Sequence, residues 1–137
     1  DSADDGMGSN AIAVATVKGD IHDIGKNIVS LMLGNHGFKV VDLGKDVKAE
    51  AIVEAAVAHK ADLIGLSALM TTTVPYMQET IQLLRKQAPW AKVMVGGAVL
   101  TADYANHIGA SIGANYSSDA VDAVRLAKSL IAARKNQ

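Results

Sequence analysis

The sequence contains no cysteine, two prolines and few aromatic residues, and each shortage limits what the chain can be. Without cysteine the protein has no disulfide bonds, no iron–sulfur cluster and no thiolate zinc site. Aromatic residues make up 4% of the chain and hydrophobic residues 50%, so valine, isoleucine, leucine and alanine must build the core. Such a core is typical of buried parallel strands packed against helices.

Strong charge and long apolar runs are also missing. The formal net charge is -1 at pH 7, and lysine and arginine form no cluster, so nothing indicates a nucleic-acid partner. No apolar run is long enough to span a membrane and no signal peptide is visible. We therefore expect a cytoplasmic protein with no membrane association.

The length of 137 residues suits one domain with a substantial core. The first ten residues, DSADDGMGSN, are acidic, rich in glycine and serine, and without apolar periodicity. This composition predicts a disordered tail or linker remnant at 1–10, followed by a single domain at 11–137. The tail suggests that the domain was cut from a longer protein.

From residue 11 onward, strand-like and helix-like patterns alternate. Buried-strand patterns occur at 11–17, 38–44, 62–68, 92–97 and 111–116. Helical patterns occur at 25–37, 48–60, 74–87, 101–109 and 120–135. The sequence therefore predicts an α/β fold, with a doubly wound, Rossmann-like or flavodoxin-like sheet of five parallel strands in the order 2-1-3-4-5.

Three loops of unusual composition follow neighbouring strands of this predicted sheet. They read KGDIHDIG after the first strand, SALMTTT after the third and GGAVLT after the fourth. In doubly wound sheets, ligands bind outside the carboxyl ends of the strands, where the strand order reverses. We therefore expect the three loops to face one crevice.

His22 stands in the first of these loops, between Asp20 and Asp23. Its imidazole could ligate a metal or transfer a proton, and Asp20 could accept a hydrogen bond from the other ring nitrogen. The alternative, and the commoner meaning of an isolated Asp-x-His, is a loop histidine beside capping carboxylates. Zinc needs three or four protein ligands, whereas one imidazole suffices for a metal already held in a macrocycle. The loop thus points toward a tetrapyrrole-type cofactor.

The other notable loop residues are small or carry hydroxyl groups. Gly25, Gly96 and Gly97 would let a ligand approach the backbone closely, or serve simply as turn residues. Ser67 and the run 71–73 offer hydroxyls to amide, phosphate or sugar groups, or ordinary loop caps. Neither G-x-G-x-x-G nor a P-loop is present, and the phosphate loop of a flavodoxin is missing, so nucleotide and flavin binding lack their motifs.

Taken together, Asp20-x-His22-x-x-Gly25, Ser67-x-Leu69 and Gly96-Gly97 resemble the signature of cobalamin-binding domains. The spacing is also that of the family, with 41 residues between Gly25 and Ser67 and 26 between Leu69 and Gly96. Within this family, TVKGDIHDIGKNIV and SALMTTT are most similar to the corrinoid proteins of methanol, methylamine and aryl methyl ether (O-demethylase) methyltransferase systems. Methionine synthase has a related cobalamin domain.

The resemblance implies a cobalt site centred on His22. The imidazole would displace the dimethylbenzimidazole base of cobalamin and bind cobalt as its lower axial ligand, the base-off/His-on mode. Asp20 would hydrogen-bond the far ring nitrogen, and Thr73, where methionine synthase has serine, would complete a proton relay coupled to the oxidation state of cobalt. These three residues form the predicted catalytic set.

The resemblance also assigns residues to the rest of the cofactor. Those around the corrin would be Gly19, Ile21, Asp23, Ile24, Gly25 and Thr71. The slot for the displaced nucleotide tail would be lined by Ser67, Leu69, Gly96 and Gly97, with Tyr116 and Ala120 at its far end.

A methyl carrier, without catalytic activity of its own, is the function that the resemblance implies. The cobalt, cycling between Co(I) and methyl-Co(III) and reactivated from Co(II), would take a methyl group from a donor methyltransferase and pass it to an acceptor methyltransferase, which uses tetrahydrofolate or coenzyme M. A corrinoid-reactivating protein would be a third partner. The alternatives are the cobalamin domain of a methionine synthase-like enzyme and a cobalamin-sensing module. Family members usually carry an N-terminal helical cap, and we expect these 137 residues to contain none.

Overall fold

The computed structural model describes residues 11–97, 101–112 and 120–135, and strands and helices alternate along them. The strands are β1 Ala11–Thr16, β2 Lys39–Asp42, β3 Leu63–Ser67, β4 Lys92–Gly96 and β5 Ser111–Ile112. The helices are α1 Ile24–Asn35, α2 Ala49–His59, α3 Val74–Gln87, α4 Ala102–Ile108 and α5 Ala120–Lys135. The predicted elements are therefore found within a few residues of their predicted bounds, apart from the fifth strand.

The sheet is parallel, and its four longer strands lie in the order β2-β1-β3-β4. Beyond β4, the two residues Ser111–Ile112 continue the sheet as the short β5. The prediction of a parallel α/β sheet is thus confirmed. Of the predicted fifth strand at 111–116, the structure describes residues 111 and 112, which pair with β4 as the short β5, and residues 113–116 lie outside the described ranges.

The helices cover both faces of the sheet, and the alternation of β1 shows how the two layers are separated. Ala13 and Ala15 pack into the layer that contains α2 and α3, whereas Ile12 and Val14 pack into the layer of α1 and α5. Every residue of β1 is buried. This burial on both faces explains why the strand appears in the sequence as a continuous apolar run instead of an alternating one.

The ends of the helices follow local chemistry. Pro75 occupies the first turn of α3, where the absence of a backbone N–H costs nothing. Thr101 caps α4 by accepting a hydrogen bond from the backbone N–H of Tyr104. Asp119, which precedes α5 and is of a residue type that favours helix N-caps, lies outside the described residues. Among the residues described, no helix is both long and apolar enough to cross a membrane.

Candidate functional site

The β1–α1 loop and the β3–α3 loop meet at the carboxyl end of the sheet, as their positions in the sequence predict. β1 and β3 are hydrogen-bonded neighbours, with Thr16 opposite Ser67 at their ends, and the backbone N–H of Val17 donates to the carbonyl of Ser67. On the far side of β3, Ser67 lies opposite Gly96 of β4. The structure therefore brings the ends of β1, β3 and β4, where the three predicted loops begin, to one edge of the sheet, and residues 98–100 of the third loop lie outside the described ranges.

His22 is held by Asp20 through two hydrogen bonds. The ring Nδ1 of His22 lies 2.7 Å from Oδ1 of Asp20, and the backbone N–H of His22 donates to the same oxygen at 3.0 Å. The carboxylate only accepts, so Nδ1 carries the proton of this hydrogen bond, and Nε2 is the ring nitrogen left to offer a lone pair to a metal. The His22 side chain is 50% exposed, whereas that of Asp20 is fully buried. A half-exposed imidazole with its inner nitrogen fixed is suited to bind a metal.

Asp20 is the centre of a polar network that joins the two loops. Its Oδ2 accepts a hydrogen bond from the backbone N–H of Leu69 at 2.7 Å and lies 3.3 Å from that of Met70. The hydroxyl of Thr73 lies 2.8 Å from the same oxygen. The Thr73 hydroxyl is also 2.9 Å from the carbonyl of Met70, but it can donate to only one acceptor at a time, and the ionised carboxylate is the stronger.

These contacts determine the charge of Asp20. Burial by itself raises the pKa of a carboxyl group, but the hydrogen bonds from His22, Thr73 and Leu69 outweigh that effect and lower the pKa of Asp20 to about 2. The group is therefore an anion at neutral pH, although none of its surface reaches solvent.

The β2–α2 loop supports the His22 loop from the other side. The backbone N–H of Gly19 donates to Oδ1 of Asp46 at 2.7 Å, and the backbone N–H of Asp46 donates to the carbonyl of Asp20 at 3.0 Å. Asp46 holds a left-handed backbone conformation with φ of 55°, which is unusual for a residue other than glycine. This residue was not predicted from the sequence. The Lys-Asp-Val after Gly44 has no motif that would single it out.

An ion pair between a buried lysine and a partly exposed aspartate ties the first turn of α1 to the end of β2. Lys26 is 2% exposed, and its Nζ donates to the carboxylate of Asp42 and to the side-chain oxygen of Asn27. Asp42 also accepts from the backbone N–H of Gly44 at 2.9 Å. This pair links α1 to the start of the β2–α2 loop, and it was not predicted from the sequence either.

Gly97 is required by the backbone of the neighbouring loop. Its φ is 140°, and a Cβ placed there would collide with the carbonyl oxygen of Ala68. Gly96 accepts a hydrogen bond from the backbone N–H of Ala68 at 3.1 Å. The pair Gly96-Gly97 therefore allows the β3–α3 loop to cross close to the end of β4, which is a structural reason for glycine in addition to ligand approach.

The remaining predicted residues occupy three kinds of position. Ile21, Ile24 and Thr71 are exposed, whereas Asp23 and Leu69 are half-buried. Gly25, Ser67 and Ala120 are buried. Gly19, at φ of 85°, turns the chain from β1 into the loop, and Tyr116 lies outside the described residues.

Two observations show that these residues fit a large, partly apolar cofactor. Ile21 and Ile24, which flank His22, expose 64% and 74% of their surface. Two neighbouring apolar side chains exposed to this extent indicate a surface that another molecule covers. Within the described ranges, no three histidine or acidic side chains are grouped as they would be around a bare metal ion. A metal at His22 would therefore need further ligands of its own, as a macrocycle provides.

Comparison with known proteins identifies what the fold and the site resemble. Residues 10–125 match the family model of the B12 binding domain. The chain is 48% identical over 133 residues to dimethylamine corrinoid protein 1 of Methanosarcina acetivorans, covering 96% of this chain and 60% of that protein. It is 47% identical to dimethylamine corrinoid protein 3 of Methanosarcina mazei, of which it covers 77%. The chain thus spans less than two thirds of the first relative.

A solved structure gives the same result. The fold superimposes on a chain of the methanol:cobalamin methyltransferase complex from Methanosarcina barkeri with a TM-score of 0.82 and 33% sequence identity. The match covers 92% of this chain and 47% of that one. The sequence and the fold therefore agree on one family.

Proposed function

Because the chain belongs to the B12-binding domain family and binds cobalamin, we propose that it carries a methyl group on the corrinoid between a donor and an acceptor methyltransferase. The observation on which this rests is the contact of Nδ1 of His22 with the buried carboxylate of Asp20, which leaves Nε2 on the exposed side of the ring. That nitrogen is the group that would take the lower position on cobalt. The bound corrinoid would supply the chemistry, which is to accept and release a methyl group at cobalt.

Methylamines and methanol are the donor classes that the comparisons favour. Two relatives are named for dimethylamine, and a structural neighbour is a complex that acts on methanol. We propose a methylamine methyltransferase as the donor partner. Aryl methyl ether donors, the acceptor cofactor, the reactivating protein and the cytoplasmic location remain predictions from the sequence.

The role of Asp20 in this function would be to hold the imidazole and its proton. An anionic Asp20 keeps the proton of His22 on Nδ1 and raises the donor strength of Nε2. The hydroxyl of Thr73 stabilises that anion on its other oxygen. We expect the proton to be shared among His22, Asp20 and Thr73, and its position to change with the amount of electron density that Nε2 must donate.

The other residues would hold the two parts of the cofactor. Ile21 and Ile24 would cover the apolar underside of the corrin, with Gly19, Asp23, Gly25 and Thr71 at its edges. The slot for the nucleotide tail would be formed by Ser67, Leu69, Gly96, Gly97 and Ala120. Apolar surface around His22 would also exclude water from the lower face of cobalt.

A binding experiment with a visible spectrum tests the proposal. The protein is mixed with methylcobalamin, free ligand is removed, and the spectrum of the bound fraction is recorded. We expect a coloured protein with a His-on spectrum, and in His22→Ala a shift toward the base-off form. His36→Ala, which alters an exposed histidine at the end of α1, is the matched control and should leave the spectrum unchanged. A wild-type protein that emerges colourless would remove the proposal.

A second experiment tests the partners. The cobalamin-loaded protein is offered to donor methyltransferases for dimethylamine, monomethylamine, methanol and an aryl methyl ether, and methylation is followed by the spectrum of the corrinoid. We expect the methylamine enzymes to methylate it fastest. Methylation by none of these donors would exclude the carrier role for them and leave the two alternatives, a methionine synthase-like cobalamin domain and a sensing module.

A further inference from the structure

The layer between the sheet and helices α1 and α5 has two unlike ends. Toward the amino ends of the strands, it is filled by the large side chains of Ile12, Leu63 and Met94. At the carboxyl ends, one row of paired residues crosses the sheet on the same face, and it consists of Thr16, Ser67 and Gly96. The facing residue of α5, Ala120, is also small. The row at the carboxyl end therefore offers little apolar volume and two hydroxyl groups.

Thr16 carries an unsatisfied hydroxyl in this row. The residue is 0% exposed, and its Oγ1 has no hydrogen-bond partner among the residues that the structure describes. Its backbone is fully paired, because its N–H donates to the carbonyl of Gly44 and its carbonyl accepts from the N–H of Val47. Only the side-chain oxygen is left without a partner, which is a rare and costly arrangement in a native core.

Packing alone gives no reason for a threonine at this position. Valine has nearly the same shape, a similar preference for strands, and no polar atom to desolvate. The neighbouring strand residues on the same face, Ile12 and Val14, are apolar. The hydroxyl of Thr16 thus weakens the free protein, and a ligand that enters this end of the layer would provide its missing partner.

We propose that the hydroxyl of Thr16 forms a hydrogen bond with the nucleotide tail of the bound corrinoid, an inference that rests on the proposed function. The tail carries phosphate, ribose and amide oxygens, any of which can accept from a hydroxyl group. Ser67, next to Thr16 in the row, already belongs to the predicted slot for this tail, whereas Thr16 had no assigned role. Thr16 would then be a binding residue that discriminates a complete corrinoid from one without a tail.

The test compares cobalamin with cobinamide, a corrinoid that has no nucleotide tail. In Thr16→Val we expect the Kd for cobalamin to rise about tenfold, which is the loss of one hydrogen bond in a desolvated site, while the Kd for cobinamide stays within about twofold. The melting temperature of the cobalamin-free variant should be equal to or above that of the wild type, since an unpaired buried hydroxyl has been removed. Both quantities are measured without any transfer reaction.

Three further variants keep the result decisive. Thr16→Ser retains the hydroxyl and should keep the affinity for cobalamin, and a Thr16→Ser and Thr16→Ala pair replaces the valine variant if that one does not fold. Thr80→Val removes a buried hydroxyl that already bonds to the carbonyl of Tyr76 in α3, and it should change neither Kd.

Three results would overturn the role of Thr16. They are an unchanged Kd for cobalamin in Thr16→Val, an equal loss for cobalamin and cobinamide, and a lower melting temperature of the cobalamin-free variant. The last would mean that the hydroxyl already has a partner, such as an ordered water. Failure of the wild-type protein to bind either corrinoid would instead refute the proposed function, and the role of Thr16 with it.

Discussion

The loop that carries His22 and the layer beneath α2 and α3 belong to one small domain, yet different interactions hold them in place. The loop is held by polar contacts, with five donors converging on the carboxylate of Asp20 and two further hydrogen bonds that involve Asp46. The layer beneath α2 and α3 is held by apolar packing, for example of Ile52, Met77 and Leu84. The polar contacts of the loop therefore mainly fix the position of His22, whereas the apolar packing beneath α2 and α3 mainly determines the stability of the fold.

The physical reason lies in the directionality of the two interactions. A hydrogen bond weakens steeply with distance and angle, so several of them converging on one carboxylate fix a side chain to within a fraction of an ångström. Burial of apolar surface is roughly proportional to area and has no preferred direction. A substitution in the packed layer should thus change stability with little effect on the site, whereas a substitution in the loop should change the site and cost less stability than the loss of a large core side chain.

The largest effect on stability is expected from the packed layer. Leu84→Ala removes a fully buried side chain of α3 and should lower the free energy of unfolding by about 2–5 kcal/mol, measured by urea denaturation. The spectrum of bound methylcobalamin should stay that of the wild type at saturating ligand. Leu31→Ala, at an exposed position of α1, is the control and should cost within about 0.5 kcal/mol. A base-off spectrum in Leu84→Ala would show that the two regions are not separate.

An intermediate effect on stability is expected when Asp20 is protonated at acid pH. Its pKa is about 2 in the folded protein against an ordinary 3.8, so the anion stabilises the fold fully above pH 3.8, and this contribution is lost as the pH falls through about 2. The difference corresponds to roughly 2 kcal/mol. In urea titrations of the cobalamin-free protein, the stability gap between wild type and Asp20→Asn should shrink by that amount on acidification. A gap that stays constant with pH would contradict the lowered pKa.

The smallest effect on stability is expected from Asp46. A substitution there should change the placement of the His22 loop more than the free energy of unfolding. Asp46→Ala removes the acceptor of the Gly19 N–H and should cost about 1 kcal/mol of stability. It should also lower the fraction of bound methylcobalamin in the His-on form. Asp46→Asn keeps an acceptor oxygen and tolerates the left-handed backbone, so it should behave like the wild type. Equal spectra for the alanine variant and the wild type would exclude a positioning role for Asp46.

The fold could be predicted from the sequence because the signals for its elements are local. The apolar run at 11–17 and the helical periodicity at 48–60 each identify one element without reference to the rest of the chain. The weak segment at 111–116 was the exception. It lacks a long apolar run, and the part of it that the structure describes is its first two residues, which pair with β4.

The site could be predicted in part, because its side chains have distinctive chemistry and spacing. Asp20, His22 and Thr73 were all named from the sequence, and the structure places them in contact. Asp46 and the backbone N–H of Met70 were missed. An aspartate in a polar loop is unremarkable in a sequence, and every residue except proline carries the same backbone donor.

The sequence by itself determined which residue types stand at the ends of the strands, and with them the family and the candidate ligand His22. Only the tertiary structure decided which of these groups share a hydrogen bond. The Leu69 N–H reaches Asp20 across 49 positions of the chain, and Thr16, Ser67 and Gly96 form one row only because β1, β3 and β4 pair in this register. The identity of each residue is given by the sequence, whereas the hydrogen-bond partner of a buried polar atom depends on how strands and loops pack in three dimensions.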